Sequence, residues 1–110
     1  MGGEADRMKA PSFHILAALA DGPRHGYAIR AEVETRTEGR VRLWPATLYG
    51  SMRELERAGL IVEAPGEAGP DDDPRRRYYA LTALGRRTLA DEATRMREIA
   101  NAALRALRQA

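Results

Sequence analysis

At 110 residues the chain is long enough for one domain with a real core and too short for two. Hydrophobic residues make up 44% and charged residues 31%, which excludes wholesale disorder, and the absence of cysteine excludes a disulfide framework or a thiolate metal site. The 18 basic and 16 acidic side chains leave a net charge of only +2, so bulk charge does not argue for a nucleic-acid partner and the distribution of charge must carry that argument.

Residues 1–9 are polar, lack the apolar stretch of a signal peptide and read as a flexible N-terminal segment. No later run approaches the ~20 apolar residues of a membrane span, so a cytoplasmic protein is expected. From Ser12 to Ala20 the sequence is apolar on nearly every side, and Asp21-Gly22-Pro23 then stops a helix. A short helix that needs cover all round points to a partner subunit. Gly26 to Arg36 forms a second helix, with Ile29 and Val33 inward, the other face charged and Gly39 closing the segment.

A brief extended stretch, Arg40 to Leu43, leads to Trp44-Pro45, where proline suits the first turn of a third helix. Within that helix Leu48, Met52 and Leu55 form a core-facing stripe, and Gly59 ends it. The opposite face carries Ala46, Gly50, Arg53 and Arg57, flanked by Thr47 and Tyr49. Leu60-Ile61-Val62 is an extended apolar run. A turn-rich stretch, Pro65 to Pro74, separates it from a second strand, Arg76 to Leu81, in which Tyr79 and Leu81 share a face. Thr82 caps a last helix running to Arg108, where Leu89, Ala93, Met96, Ala100, Ala103 and Leu107 recur in steps of four and three. Such a seam wants another helix.

The expected fold is mainly α with a small β-hairpin: a winged helix-turn-helix over residues 10–82 plus a C-terminal dimerisation helix over 83–110. In that layout the second helix crosses near the DNA backbone and the third enters the major groove. Small Ala46 and Gly50 let the helix approach closely, while Arg53 reaches either guanine or phosphate. Arg75, Arg76 and Arg77 at the base of the hairpin would lie against phosphate or in the minor groove, making binding salt-dependent.

Three motifs in order resemble the PadR family of transcriptional regulators, especially its short members with a single C-terminal helix. They are Leu19-Ala20-Asp21-Gly22-Pro23-Arg24-His25-Gly26-Tyr27, then Pro45-Ala46-Thr47-Leu48-Tyr49 followed by Leu55 to Ile61, then Arg75 to Thr82 with Gly85. The resemblance implies a homodimer built by the first and last helices, and two recognition helices related by a two-fold axis predict an inverted-repeat operator on double-stranded DNA. It also implies repression and, in some members, release by a small aromatic effector at the dimer interface. It carries the DNA-facing role to Thr47, Tyr49 and the wing arginines. The expected DNA-binding set is thus Tyr27, Ala46, Thr47, Tyr49, Gly50, Arg53, Arg57, Arg75, Arg76 and Arg77. The expected dimerisation set is Phe13, Leu16, Leu89, Met96, Ile99, Ala103 and Leu107. Two features depart from the family: Trp44 stands where a capping Ser or Asn is usual, and the last helix has no aromatic residue.

Plainer readings stand beside these. Arg75 to Arg77 can be a solvated run neutralised by Asp71 to Asp73. Tyr79 is expected to pack rather than bind, Tyr78 is open, and Tyr27 serves either the turn or a phosphate. Trp44 is expected to anchor the core. His14 and His25 are too few for a metal site, and no nucleophile with a base, carboxylate pair or phosphate-cradling glycine loop argues for an enzyme or a cofactor.

Overall fold

The computed structural model describes residues 8–66, 73 and 75–109; most of the expected N-terminal segment and of the hairpin loop lies outside these. The elements are α1 (Ala10–Ala18), β1 (Arg24–His25), α2 (Gly26–Arg36), α3 (Pro45–Arg57), β2 (Ile61–Ala64), β3 (Tyr78–Leu81) and α4 (Ala83–Gln109). The three strands form one antiparallel sheet in the order β1-β3-β2. Ile61 pairs with Leu81 and Ala64 with Tyr78 on one edge of β3, while Arg24 pairs with Tyr79 and His25 with Tyr78 on the other.

Local chemistry explains most boundaries. Proline lies in the first turn of α1 and of α3, where its missing N–H costs nothing. Gly59 takes φ +77° just past α3, and the following Leu60 N–H returns to the Leu55 carbonyl at 2.9 Å, closing the helix as a left-handed glycine permits. Thr82 Oγ1 accepts from Gly85 N–H at 3.0 Å, the expected cap of α4. Its hydroxyl in turn donates to the Gly59 carbonyl at 2.6 Å, tying the start of α4 to the end of α3. Gly85 is buried against the Leu60 carbonyl, so closely that a β-carbon there would overlap it. The second strand is shorter than expected: β3 starts at Tyr78, leaving Arg75 to Arg77 as its approach.

The core consists of Ile15, Leu16, Ala18 and Leu19, Ile29 and Val33, Leu43, Leu48, Met52, Leu55 and Ile61, with Tyr79, Leu81 and Leu89 packed on its rim. α1 lies at its centre, against α2, α3 and α4. Within the single chain α1 keeps one strip half-buried, at Phe13, His14 and Ala17, because the three helices packed on it leave that strip uncovered. One expectation needs correction. Leu16, expected to serve a partner subunit, is 0% exposed and spent entirely on the chain's own core.

Arginines finish α1. Its last carbonyls lack intrahelical donors. Arg24 Nε donates to the Ala18 carbonyl at 3.1 Å and Arg36 Nη1 to the Ala17 carbonyl at 3.0 Å. The same two guanidinium groups share Asp21 and Glu32, with Arg24 at 3.4 and 3.5 Å from them and Arg36 at 3.9 and 2.5 Å. This network fixes the turn that carries β1 and α2.

Helix α4 leaves the body after its first turns. Leu89 packs on the core, whereas Met96, Ile99, Leu104 and Leu107 are exposed, Leu107 to 72%. At 27 residues the helix is about 40 Å long, a large part of the 56 Å longest extent of the molecule. Among the described residues no helix is long and apolar enough to cross a membrane.

Candidate nucleic-acid interface

The core stripe of α3 fixes which side of that helix faces outward. With Leu48, Met52 and Leu55 inside, Ala46, Thr47, Tyr49, Arg53 and Arg57 are exposed and Gly50 is partly so. Among the described residues Arg53 and Arg57 make no ion pair, so both charges are presented undiminished to solvent. Trp44 is the N-cap and offers no side-chain acceptor, as its indole chemistry dictates.

Beside this face lies a cleft of about 390 Å³ lined by His25, Gly26, Tyr27, Tyr49, Arg75, Arg76, Arg77 and Tyr79. It gathers five of the expected DNA-facing set, Tyr27 from α2, Tyr49 from α3 and Arg75, Arg76 and Arg77 from the approach to β3. Gly26 makes the gathering possible: a β-carbon there would sit 2.9 Å from the Tyr49 hydroxyl and 3.0 Å from its ring, so only glycine lets Tyr49 lie over the start of α2. His25 joins the parts. Its Nδ1 accepts the Ala28 N–H at 3.1 Å, capping α2, and its Nε2 stands 3.2 Å from Arg76 Nη1. Its ring stacks with Tyr27 at 6.4 Å and meets Tyr78 edge-on at 5.3 Å. Tyr27 itself is 67% exposed.

The wing arginines differ from one another. Arg75 is tied to Asp73 through its backbone N–H (2.9 Å), Nε (3.1 Å) and Nη2 (3.2 Å), so the neutralised-run reading holds for it in part. Hydrogen bonding from the Arg75 side chain, then its backbone, holds the Asp73 carboxyl below its ordinary value. The Tyr79 hydroxyl is pushed above its ordinary value by burial and then by Glu56 and Glu63, keeping it protonated. Tyr79 packs on the core rim, as expected, and Tyr78 covers Gly66.

Sequence reasoning missed β1, His25 as a cap, and Arg30. It also placed Trp44 wrongly. Trp44 is 61% exposed, not a core anchor, because Leu43 takes the inward position and the following proline starts α3 with the indole outside. The Arg30 guanidinium lies 5.5 Å from the centre of the indole ring. No sequence signal joins two residues fourteen positions apart on different elements. Among the described residues no group of three His, Asp or Glu side chains stands close enough to hold a metal ion.

A helix-turn-helix whose exposed second member lies beside a β-arm, followed by a long helix, defines a winged helix-turn-helix protein. The chain belongs to the PadR-like family of transcriptional regulators, whose model matches residues 15–91. That family comprises regulators, not enzymes. The chain is 45% identical over 82 residues to an uncharacterised 37.1 kDa protein in transposon TN4556 of Streptomyces fradiae, covering 74% of this chain and 21% of that longer relative. It is 33% identical over 95 residues to the transcriptional regulator Rv3488 of Mycobacterium tuberculosis, covering 86% of this chain and 83% of the relative. Among solved structures, a PadR family transcription regulator from hypervirulent Clostridium difficile R20291 superimposes with TM-score 0.73 at 24% identity, covering 90% of this chain and 99% of the other. Bacillus subtilis PadR in complex with operator DNA gives TM-score 0.66 at 22% identity, covering 79% of this chain and 48% of the other. These two likenesses establish the fold.

Proposed function

We propose that the chain is a sequence-specific DNA-binding repressor acting as a homodimer on an inverted-repeat operator. The observation that carries the reading is the conjunction on one side of the molecule of the unpaired Arg53 and Arg57, the exposed Thr47 and Tyr49, and the cleft lined by Arg75, Arg76 and Arg77. A helix face with small residues and two free guanidinium groups suits the major groove, and the flanking arginines suit phosphate. Residues 10–82 form the DNA-binding unit and 83–110 the dimerisation helix. The operator-bound Bacillus subtilis relative supports DNA as the partner.

Dimerisation rests on α4. Met96, Ile99, Ala103 and Leu107 are exposed along it, and covering that apolar surface with a second copy is favourable at roughly 25 cal/mol per Å². Phe13, half-buried on α1, lies at the same interface. Leu89 is half-buried with its side chain packed against its own core, so Leu89→Asp is expected to destabilise the fold as well as weaken a dimer. Release by a small aromatic effector is the finer part of the proposal. With no ring on α4, such a ligand would have to meet Phe13 and His14, whose rings are 5.8 Å apart and edge-on.

The test is selection of bound sites from random duplexes together with sedimentation. The proposal expects a symmetric site with half-sites about 34 Å apart, and monomers with weak binding from Met96→Asp. A single asymmetric half-site, or an undisturbed dimer in Met96→Asp, overturns the arrangement.

A further inference from the structure

The one exposed aromatic residue with no role in the interface described so far is Trp44, and its arginine partner is equally unassigned. Arg30 lies on the face of α2 that also carries Tyr27, and a hollow of about 160 Å³ beside Tyr27 is lined by Tyr27, Arg30, Ala31 and Glu34. Tyr27 therefore stands between two concavities, the wing cleft on one side and this hollow on the other. The charges in the hollow are unequal. Glu34 is already paired with Arg42 at 3.3 Å, while Arg30 makes no ion pair among the described residues and its Nε is shielded from solvent without an acceptor. Among the described residues the ring of Trp44, at 5.5 Å, is what holds the Arg30 guanidinium. Stacking of this kind orients a guanidinium without neutralising it, leaving its charge available to an anion. A carboxylate partner, as at Arg24 and Arg36, would cancel that charge.

We infer that Arg30 and Trp44 form a second backbone contact to duplex DNA on the α2 side of Tyr27, with Arg30 meeting a phosphate and Trp44 acting as the positioning residue. The inference rests on the DNA-binding reading above and adds to it a contact outside the recognition face and the wing. It also accounts for an exposed tryptophan at a helix start where a capping side chain would serve the helix better.

The experiment titrates a fluorescently labelled random-sequence duplex with the chain over a range of salt, following the anisotropy of the label for every variant and, in proteins that keep Trp44, the emission of that single tryptophan. Arg30→Ala is expected to weaken binding about tenfold on any sequence and to reduce the slope of log K against log salt by about 0.9, one phosphate's worth. Trp44→Ala should give part of that loss, Trp44→Phe should restore most of it, and the melting temperature should not move in either. The emission of Trp44 should change in step with binding. If Arg53→Ala weakens binding while Arg30→Ala leaves the salt slope intact, this inference falls and the regulator reading stands; if wild type binds no duplex at low salt, both fall. A drop in melting temperature in Trp44→Ala without a change in slope makes the indole structural and overturns its positioning role. Preference for single strands that disappears in Trp44→Ala makes it a base-stacking platform and overturns the phosphate assignment.

Discussion

Two sets of arginines on this small domain have opposite fates. At the turn after α1, Arg24 and Arg36 are engaged with backbone carbonyls and shared carboxylates. On α3 and the outer side of α2, Arg53, Arg57 and Arg30 meet no carboxylate among the described residues. The lesson is that a net charge of +2 says little about what the protein can bind. Pairing removes the first set from the outward field and leaves the second to act on an anionic partner. The wing lies between the extremes, with Arg75 engaged by Asp73 and Arg76 beside His25.

That comparison can be broken by substitution. The largest effect is expected at Arg24→Ala, which strips the Ala18 carbonyl of its donor and removes one cation from Asp21 and Glu32, costing about 1–3 kcal/mol of stability. Urea unfolding measures this, and DNA affinity per folded molecule should hold; a variant as stable as wild type that binds DNA poorly would falsify the structural assignment. Next comes Arg53→Ala, expected to cost about 1–3 kcal/mol of operator affinity with no change in melting temperature, since its side chain supports nothing in the fold. Electrophoretic mobility shift reads the first quantity and calorimetry the second.

A smaller loss is expected at Gly26→Ala. The new methyl group pushes the Tyr49 hydroxyl aside, costing about 1 kcal/mol of binding, the scale of one hydrogen bond, while helix propensity offsets the strain. Tyr49→Phe should reproduce the binding loss; if it binds normally, the position of the hydroxyl is immaterial. The smallest effect is at Asp73→Asn, which frees Arg75 and should tighten DNA binding by about twofold at low salt, fading as salt screens it. Because Arg75 lowers the Asp73 carboxyl, the pair is complete above the ordinary carboxylate value of 3.8 and is lost only as pH falls through the lowered one. Affinity differences between this variant and wild type should therefore be constant around neutral pH.

Much of the architecture was legible in the residues themselves. The inward positions Ile29 and Val33, the stripe Leu48, Met52 and Leu55, the stop at Gly59 and the cap at Thr82 are all set by neighbours within a few positions, and each lies where periodicity and capping chemistry put it. Once the inner stripe of α3 is known, the outer face with Ala46, Thr47, Tyr49, Gly50, Arg53 and Arg57 follows from the 100° step of the helix. Strand β1 escaped notice because two residues have no periodicity, and they become a strand only by pairing with Tyr78 and Tyr79.

By itself, then, the sequence determined the order of elements, the core stripes and the polar face of α3, because these depend on spacing along the chain. Tertiary structure alone decided which arginines are neutralised, that Leu16 belongs to this chain's core with Leu89 on its rim, and that Trp44 stands outside with Arg30 against it. Those outcomes depend on which distant side chains meet once the helices pack, and an identical residue type is structural or available according to the partner it finds there.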